Sequence, residues 1–190
     1  MPALPNLPAP LRDERVLLRL GAERDIPEIL IAHQDDPQMH VRFGQERPPS
    51  GAELGRRAER EAHERATGAE LTLTILEPGS DDCRGQLDVH HLDWDHQRGE
   101  LGIWVAPQSR GKGLARAALT LAAGWLFGVC GLERLELLTD PDNEPLIRAA
   151  RAAGFSREGV LRRYRRERGE RVDVLVLSLL PGDGDFSAYA

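Results

Sequence analysis

Residues 104–115 join the end of a predicted strand to a glycine-rich turn and the start of a predicted helix. Apolar residues alternate through residues 101–105, as in a strand, and a run of small and apolar residues follows over residues 114–127. Glycine lets the main chain approach an anion closely, and the first N–H groups of a helix have no partner within it. The segment therefore predicts a site for a phosphate or pyrophosphate, and so an enzyme.

Two common nucleotide-binding motifs do not fit this turn. Gly113 is followed by Leu114 and not by the Lys-Ser/Thr pair of a P-loop, and the residues after Gly111-Lys112-Gly113 do not complete a GxGxxG pattern. Both motifs also belong to an early βαβ unit, whereas this turn lies past the middle of the chain. The anion is therefore expected to belong to another kind of ligand.

Composition limits the classes of protein that this chain can belong to. At 190 residues, with 41% hydrophobic and 29% charged residues, it is long enough for one globular domain. A net charge of −6 argues against non-specific binding to nucleic acid. Cys83 and Cys130 form no CxxC pair and have no histidine at zinc spacing, so we expect neither a disulfide framework nor a metal.

No signal peptide and no apolar run of the roughly 20 residues that a membrane helix needs is evident. We therefore expect a cytoplasmic protein without a membrane partner. Residues 1–10 carry four prolines and predict a flexible arm, residues 11–181 a single domain, and residues 182–190 a tail. Strand and helix patterns alternate as β-α-α-β-β-β-α-β-α-β-β, which predicts an α/β (α+β) fold, a mixed sheet with helices packed on it.

The glycine turn resembles a known family once its neighbours are considered. Residues 110–115 (RGKGLA) fit the acyl-CoA pyrophosphate motif, Gln/Arg-x-x-Gly-x-Gly/Ala, of the GCN5-related N-acetyltransferases (GNAT). Residues 98–105 resemble the strand that precedes this motif in the family, and residues 139–143 and 148–155 resemble the strand end and helix that follow it. Residues 11–19 and 158–164, with the strand through 178–180, resemble the RimJ/RimL-like branch.

The resemblance implies a fold and a donor. The fold would be a central mixed, mostly antiparallel sheet of six to seven strands, flanked by about four helices. The donor would be acetyl-CoA, with the pantetheine arm paired to the main chain of Ile103, Trp104 and Val105. The pyrophosphate would be wrapped by the six residues of the turn, which are Arg110, Gly111, Lys112, Gly113, Leu114 and Ala115. Asn143 would contact the pantetheine amides or order the strand ends.

Acyl transfer to an amine needs a group that removes a proton from the nucleophile. Glu100 is the first candidate, near the start of the predicted pantetheine strand; the alternative is a solvated carboxylate paired with an arginine. His90 and His91 are the second candidates, and because they are adjacent in a strand, at most one of them is expected to face the cleft. Tyr164 is a candidate acid for the thiolate, because Leu146 stands where relatives often carry a serine.

Several questions stay open at the level of sequence. The acceptor is either a protein N-terminus or a small amine, and the acyl group is acetyl or a longer or anionic one such as succinyl. A non-catalytic acyl-CoA-binding or sensing module with the same fold is the alternative to an enzyme. The oligomeric state is not readable, with a homodimer among the options.

Overall fold

One eight-stranded sheet forms the centre of the computed structural model, which describes residues 4, 5, 7, 9–184 and 186. The strands lie in the order β1-β2-β3-β4-β5-β6-β8-β7. All neighbours are antiparallel except β5 and β6, which are parallel. The strands are β1 (Leu11–Arg12), β2 (Leu17–Leu20), β3 (Leu71–Leu76), β4 (Gly85–Asp93), β5 (Arg98–Val105), β6 (Arg134–Thr139), β7 (Ser156–Glu167) and β8 (Glu170–Leu179).

Five α-helices accompany the sheet in the described part of the chain: α1 (Ile26–Asp35), α2 (Met39–Arg42), α3 (Gly51–Ala66), α4 (Leu114–Gly128) and α5 (Glu144–Ala152). Helix α4 buries ten of its residues, and its many alanines let it lie close against the strands. Helix α3 has one buried residue, Leu54, and begins with a capping box between Ser50 and Glu53. Helix α4 is therefore a core element, whereas α3 covers the sheet with a mostly polar surface.

The two faces of the sheet differ in chemistry because side chains alternate along each strand. Odd-numbered residues of the central strands, such as Leu87, Leu101 and Leu137, join α4 in the main apolar core. Even-numbered residues point to the opposite face and include the buried polar residues Thr72 and Thr74. Polar groups of the central strands are therefore gathered on the face opposite α4.

The fold class predicted from the sequence is confirmed, with one strand and one helix more than expected. The additional elements are β1, which has two residues, and α2, which has four. Neither is long enough to show a hydrophobic period. No helix in the described residues has both the length and the apolar character needed to cross a membrane.

The chain ends are only partly described. In the segment predicted as an arm, Leu4 is 4% exposed in the main core and Leu7 packs against that core. In the predicted tail, the ring of Phe186 lies 5.3 Å from that of Phe127, centroid to centroid. Within the two segments, residues 1–3, 6, 8, 185 and 187–190 lie outside the described residues.

Candidate active site

The parallel strands β5 and β6 separate part-way along their length. They pair only where residues 98–100 meet residues 134–136, although β5 continues to Val105 and β6 to Thr139. The gap between them opens into a cleft of about 840 Å³, which the glycine turn and the starts of α4 and α5 also line. The cleft is thus bordered on one side by the free edge of a strand.

The main chain of β5 presents alternate residues to this cleft. The N–H of Ala106 donates to the carbonyl of Arg84 (2.8 Å), so the main chain of Ala106 faces the β4 side. The main-chain groups of successive residues in a strand point to opposite edges. Those of Trp104 therefore also face β4, whereas those of Ile103 and Val105 face β6. Of the three residues predicted to pair with pantetheine, Ile103 and Val105 therefore have main-chain groups on the cleft side. Trp104 lines the cleft without doing so.

The glycine turn adopts the conformation that its sequence predicts. Gly111 (φ 77°) and Gly113 (φ 82°) both lie in the left-handed region, where other residues are strained. Gly113 is the N-cap of α4, so the N–H groups of the first helical turn have no partners within the helix, and the residues that carry them lie beside the cleft. Gly111, Gly113, Leu114 and Ala115 all line the cleft.

The two basic residues of the turn are bound by carboxylates. Arg110 donates through Nη2 to Asp36 Oδ2 (2.6 Å) and through Nε to the carbonyl of Val105 (3.0 Å). Burial opposes ionisation of Asp36, but the hydrogen bond from Arg110 keeps the pKa of this carboxyl below its usual value. Lys112 donates to Glu77 (3.0 Å) and does not line the cleft. Arg110 therefore fastens the turn to the end of α1, and the turn's backbone supplies the donors that face the cleft.

The opposite wall of the cleft is held by Asn143 at the start of α5. Its side-chain amide donates to Thr139 Oγ1 (3.0 Å), which ties α5 to the end of β6. Thr139 is 4% exposed, and Leu146 lines the cleft. This hydrogen bond joins Asn143 to the separated end of β6, and both roles expected of Asn143 stay predictions.

Glu100 lies at the point where β5 and β6 separate, and both neighbouring histidines are beside it. The distance from its Oε2 to His91 Nδ1 is 3.0 Å, and that from His91 Nδ1 to His90 Nδ1 is 3.2 Å. The expectation that only one of the two histidines faces the cleft is wrong, because both line it. Strand β4 is irregular between His90 and Asp93, and His91 has φ 49°, so the strict alternation of side chains is broken.

Tyr164 lies at the surface, and Asp88 is bound by residues other than His90. Tyr164 is 55% exposed at the rim of the cleft, within an irregular part of β7 between Leu161 and Arg165. Asp88 shares a face of β4 with His90, a spacing that would let it orient the ring, but it accepts hydrogen bonds from Arg57 (2.7 Å) and Thr72 (2.8 Å).

A second groove, of about 680 Å³, reaches Glu100 from the direction of β7 and β8. It shares four lining residues with the first cleft: His91, Glu100, Leu138 and Tyr164. Its carboxylates Glu136 and Glu158 are both bound by Arg134, at 2.7 and 2.6 Å. The hydrogen bond from Arg134 lowers the pKa of Glu158 to about 2.

This second groove was not predicted, nor was the contribution of α2 to the first cleft through Met39, Arg42 and Phe43. The only signal for the groove in the sequence is the alternation of residues 134–138, which places Glu136 and Leu138 on one face. The four-residue α2 has no comparable signal.

Comparisons with known proteins agree with this architecture. Among curated proteins, the chain is 30% identical to an uncharacterized N-acetyltransferase, p20, of Bacillus licheniformis over 57% of this chain and 61% of that protein. It is 39% identical to spermidine N(1)-acetyltransferase of Escherichia coli (strain K12) over 40% of this chain and 41% of that protein. The chain thus matches about half the length of these relatives.

Solved structures match over almost the whole chain. Mycobacterium smegmatis RimJ in complex with CoA-disulfide superposes with a TM-score of 0.80 at 24% identity, covering 93% of this chain and 88% of that chain. Spermidine N-acetyltransferase from Vibrio cholerae in complex with CoA and spermine gives a TM-score of 0.78 at 21% identity, covering 90% and 98%. At these identities the likeness establishes the fold. The model of the acetyltransferase (GNAT) domain matches residues 15–156, and the chain therefore belongs to the GNAT acetyltransferase family.

Proposed function

We propose that this chain transfers the acetyl group of acetyl-CoA to a primary amine. The observation that carries the proposal is the position of Glu100, where β5 and β6 separate and where two grooves meet. One groove leads to the glycine turn, and the other is open to an acceptor. A carboxylate at this junction is in reach of a nucleophile that arrives from the second groove.

The residues along the first cleft fit acetyl-CoA. The main chain of Ile103 and Val105 would pair with the amide-bearing pantetheine arm, as an added strand pairs with a sheet edge. Gly111, Gly113 and the first N–H groups of α4 would hold the pyrophosphate. When bound, acetyl-CoA supplies an acetyl group activated as a thioester.

Glu100 is the proposed general base. An alkyl ammonium group has a pKa near 10.4 and a chain-terminal ammonium about 7.7–8.0, so either must lose a proton to become a nucleophile. Glu100 accepts it directly or through His91, whose ring nitrogen is 3.0 Å away, and His90 extends the path. Tyr164, on the rim that both grooves share, is the proposed donor to the leaving thiolate, because Leu146 cannot serve.

The second groove supports an extended acceptor. Its volume of about 680 Å³ and its open rim suit a linear amine or a peptide N-terminus. Both kinds of acceptor belong in the test, since relatives include a spermidine acetyltransferase and a structural neighbour is RimJ.

An acceptor screen tests the proposal. The protein is incubated with acetyl-CoA and, in turn, spermidine, spermine, single amino acids and peptides with free N-termini, and products are identified by mass spectrometry. Succinyl-CoA in a parallel series tests the acyl group. We expect a mass gain of one acetyl group on at least one amine, together with release of free thiol. Tight binding of acetyl-CoA without transfer to any amine would instead indicate an acyl-CoA-binding or sensing protein.

A further inference from the structure

We propose that His90, His91 and Glu100 also form a site for a Zn²⁺ ion, and that an ion bound there inhibits acyl transfer. The three residues come from the adjacent strands β4 and β5 at the junction of the two grooves. The inhibitory part of the proposal rests on Glu100 being the base, whereas the binding part does not.

The distances within the cluster suit a tetrahedral ion. Zn²⁺ binds histidine nitrogen and carboxylate oxygen at about 2.0–2.2 Å, so two ligands of a tetrahedron are about 3.3 Å apart. The structure has 3.2 Å between the Nδ1 atoms of His90 and His91, and 3.0 Å between His91 Nδ1 and Glu100 Oε2. All three ligand atoms lie within 4.8 Å of one another. Little movement is needed to place them around one ion.

The backbone brings these atoms together before any ion is present. His91 has φ 49°, and this turn out of the strand places its ring beside that of His90, 4.7 Å between centroids and nearly perpendicular. The His91 side chain is 78% exposed and the Glu100 side chain 20% exposed. Solvent therefore reaches the cluster, and a fourth position is open to water.

The hydrogen-bonding needs of the cluster also favour a cation. Two imidazole Nδ1 atoms and one carboxylate oxygen face one another. Each of these three atoms can carry a lone pair, but each neutral ring has only one N–H with which to donate a hydrogen bond. Zn²⁺ bound to unprotonated Nδ1 atoms and to the carboxylate satisfies all three lone pairs at once and releases any proton held between them. The nearest arginines that line the second groove, Arg98 and Arg134, are each paired with Glu136, which limits their repulsion of the ion.

Binding at this position would prevent base catalysis. The lone pair that Glu100 needs in order to accept a proton would be shared with the ion, and His91 would be unable to relay a proton. The ion would also occupy the shared opening of the two grooves. Zn²⁺ is thus expected to lower the rate of transfer without displacing CoA from the glycine turn.

Direct metal titration tests the binding part. Tag-free protein freed of metal with EDTA is titrated with Zn²⁺ by calorimetry, and with Co²⁺ by the visible absorption of its tetrahedral complexes. We expect one ion per chain. His91→Asn keeps a residue that tolerates positive φ but removes the imidazole, and it is expected to weaken binding at least about tenfold. His96→Asn is the matched control, because the His96 side chain is similarly exposed and its Nδ1 lies 3.1 Å from a carboxylate outside the cluster, that of Asp93.

The metal site would be overturned if the wild type and His91→Asn bound Zn²⁺ with equal affinity. It would also be overturned if His91→Asn and His96→Asn lost the same amount of affinity for Zn²⁺. If the protein acetylates an amine, Zn²⁺ should lower the rate of the wild type, and EDTA should restore it. Binding at the cluster with an unchanged rate would overturn the inhibitory role. Absence of any acetylation would count against the proposed function alone, because the titrations decide the metal site independently.

Discussion

Glu100 occupies a position that two independent features define. Pairing between β5 and β6 ends at this residue, and the ring of His91 contacts its carboxylate at 3.0 Å. Its chemistry can be separated from its shape, because glutamine has the same size and still forms a hydrogen bond but cannot accept a proton at neutral pH.

Glu100→Gln is therefore expected to lower kcat by about 10²–10⁴-fold. Affinity for CoA should be unchanged, since the glycine turn lies beyond the other end of β5. Steady-state kinetics on the best acceptor and calorimetry with CoA measure the two effects. Glu133→Gln, an exposed carboxylate outside both grooves, is the control. If the kcat of Glu100→Gln stayed within threefold of that of the wild type, Glu100 would not be the base.

The glycine turn allows a second comparison of matched residues. Gly113 and Gly79 have the same φ, 82°, and a Cβ at either would meet no atom within 4 Å. The backbone strain of a new side chain is therefore similar at the two positions. Only Gly113 lines the cleft.

Gly113→Asp is expected to abolish CoA binding, because a carboxylate would lie against the pyrophosphate at the start of α4. Gly79→Asp should bind CoA as the wild type does. Calorimetric titration with CoA measures binding, and thermal unfolding verifies that both variants fold. If both variants lost CoA binding equally, strain and not charge would be the cause; retained binding in Gly113→Asp would contradict the location of the site.

Residue by residue, the sequence predicted what depends on local chemistry and missed what depends on irregular backbone. The turn at Gly111 and Gly113 was predictable because glycine and a helix start act within a few residues. The position of His91 was not, since no pattern in the sequence marks the irregularity in β4 that turns its ring toward His90. Lys112 carries charge as expected but directs it to Glu77, a partner that only the folded chain supplies.

At the scale of elements, Asp25 connects a helix start to two strands. Its carboxylate accepts hydrogen bonds from Arg19 on β2 (2.9 and 2.5 Å), from Thr74 on β3 (2.7 Å) and from the N–H of Ala22 (3.1 Å). Asp25 is 1% exposed. Burial alone would raise its pKa, but the hydrogen bonds from Arg19 and Thr74 lower the pKa below its usual value. Its stabilising contribution is therefore present at neutral pH and is lost as pH falls through the acidic range.

Asp25→Ala is expected to lower the free energy of unfolding by about 3 kcal/mol, because the largely buried guanidinium of Arg19 would lose its principal carboxylate partner. It would keep its hydrogen bond to the carbonyl of Leu20 (3.1 Å) and its longer contact with the exposed Asp81 (3.9 Å), which hold the loss at the lower end of the range for a broken buried pair. Urea unfolding at pH 7 measures the change. The double variant Arg19→Ala/Asp25→Ala should lose less free energy of unfolding than the two single variants lose together. A loss below about 1 kcal/mol in Asp25→Ala, or strict additivity, would show that the pair contributes little.

Long elements were predicted closely and short or polar ones were not. Helix α4 was expected over residues 114–127 and is observed at Leu114–Gly128. The apolar and threonine residues of 71–76 (LTLTIL) predict a strand, and β3 has those bounds. The sequence pattern favours a strand over about residues 159–164, whereas β7 extends over Ser156–Glu167. Its arginines give no alternation of polar and apolar residues, so pairing with β8 and not its own pattern determines its length.

At the scale of the whole molecule, the site depends on one parallel strand pair in a sheet that is otherwise antiparallel. Strands β5 and β6 are joined through α4, and the glycine turn, the helix and the gap between the strands all belong to that one connection. The sequence predicted each part of this connection. The sequence did not indicate where the pairing between β5 and β6 ends. The end of the pairing depends on contacts of β6 with α5 and β8, which join segments that are distant along the chain.

The stability of the whole molecule should also depend on pH through Glu61 of α3. Its carboxyl lies so close to the main chain of Gly21 that a Cβ there would be 2.8 Å from Oε2. The nearby Arg57 donates to Asp88 (2.7 Å). Burial, partly offset by the charge of Arg57, raises the pKa of Glu61 from 4.5 to about 7. The folded state therefore holds this proton more tightly than the unfolded state does, and Glu61 makes the protein less stable as pH rises from about 4.5 to about 7.

Glu61→Gln removes this ionisation while keeping the size of the side chain. The variant should have the same free energy of unfolding as the wild type at pH 4.5, and a larger one at pH 8 by about 1 kcal/mol. This difference is smaller than the shift in pKa alone would give, because solvent screens part of the effect. Urea unfolding at the two pH values measures the difference. Glu59→Gln, an exposed change on the same helix, should show no such dependence on pH. If the free energies of unfolding of Glu61→Gln and the wild type differed by the same amount at both pH values, the Glu61 carboxyl would ionise alike in the folded and unfolded chain.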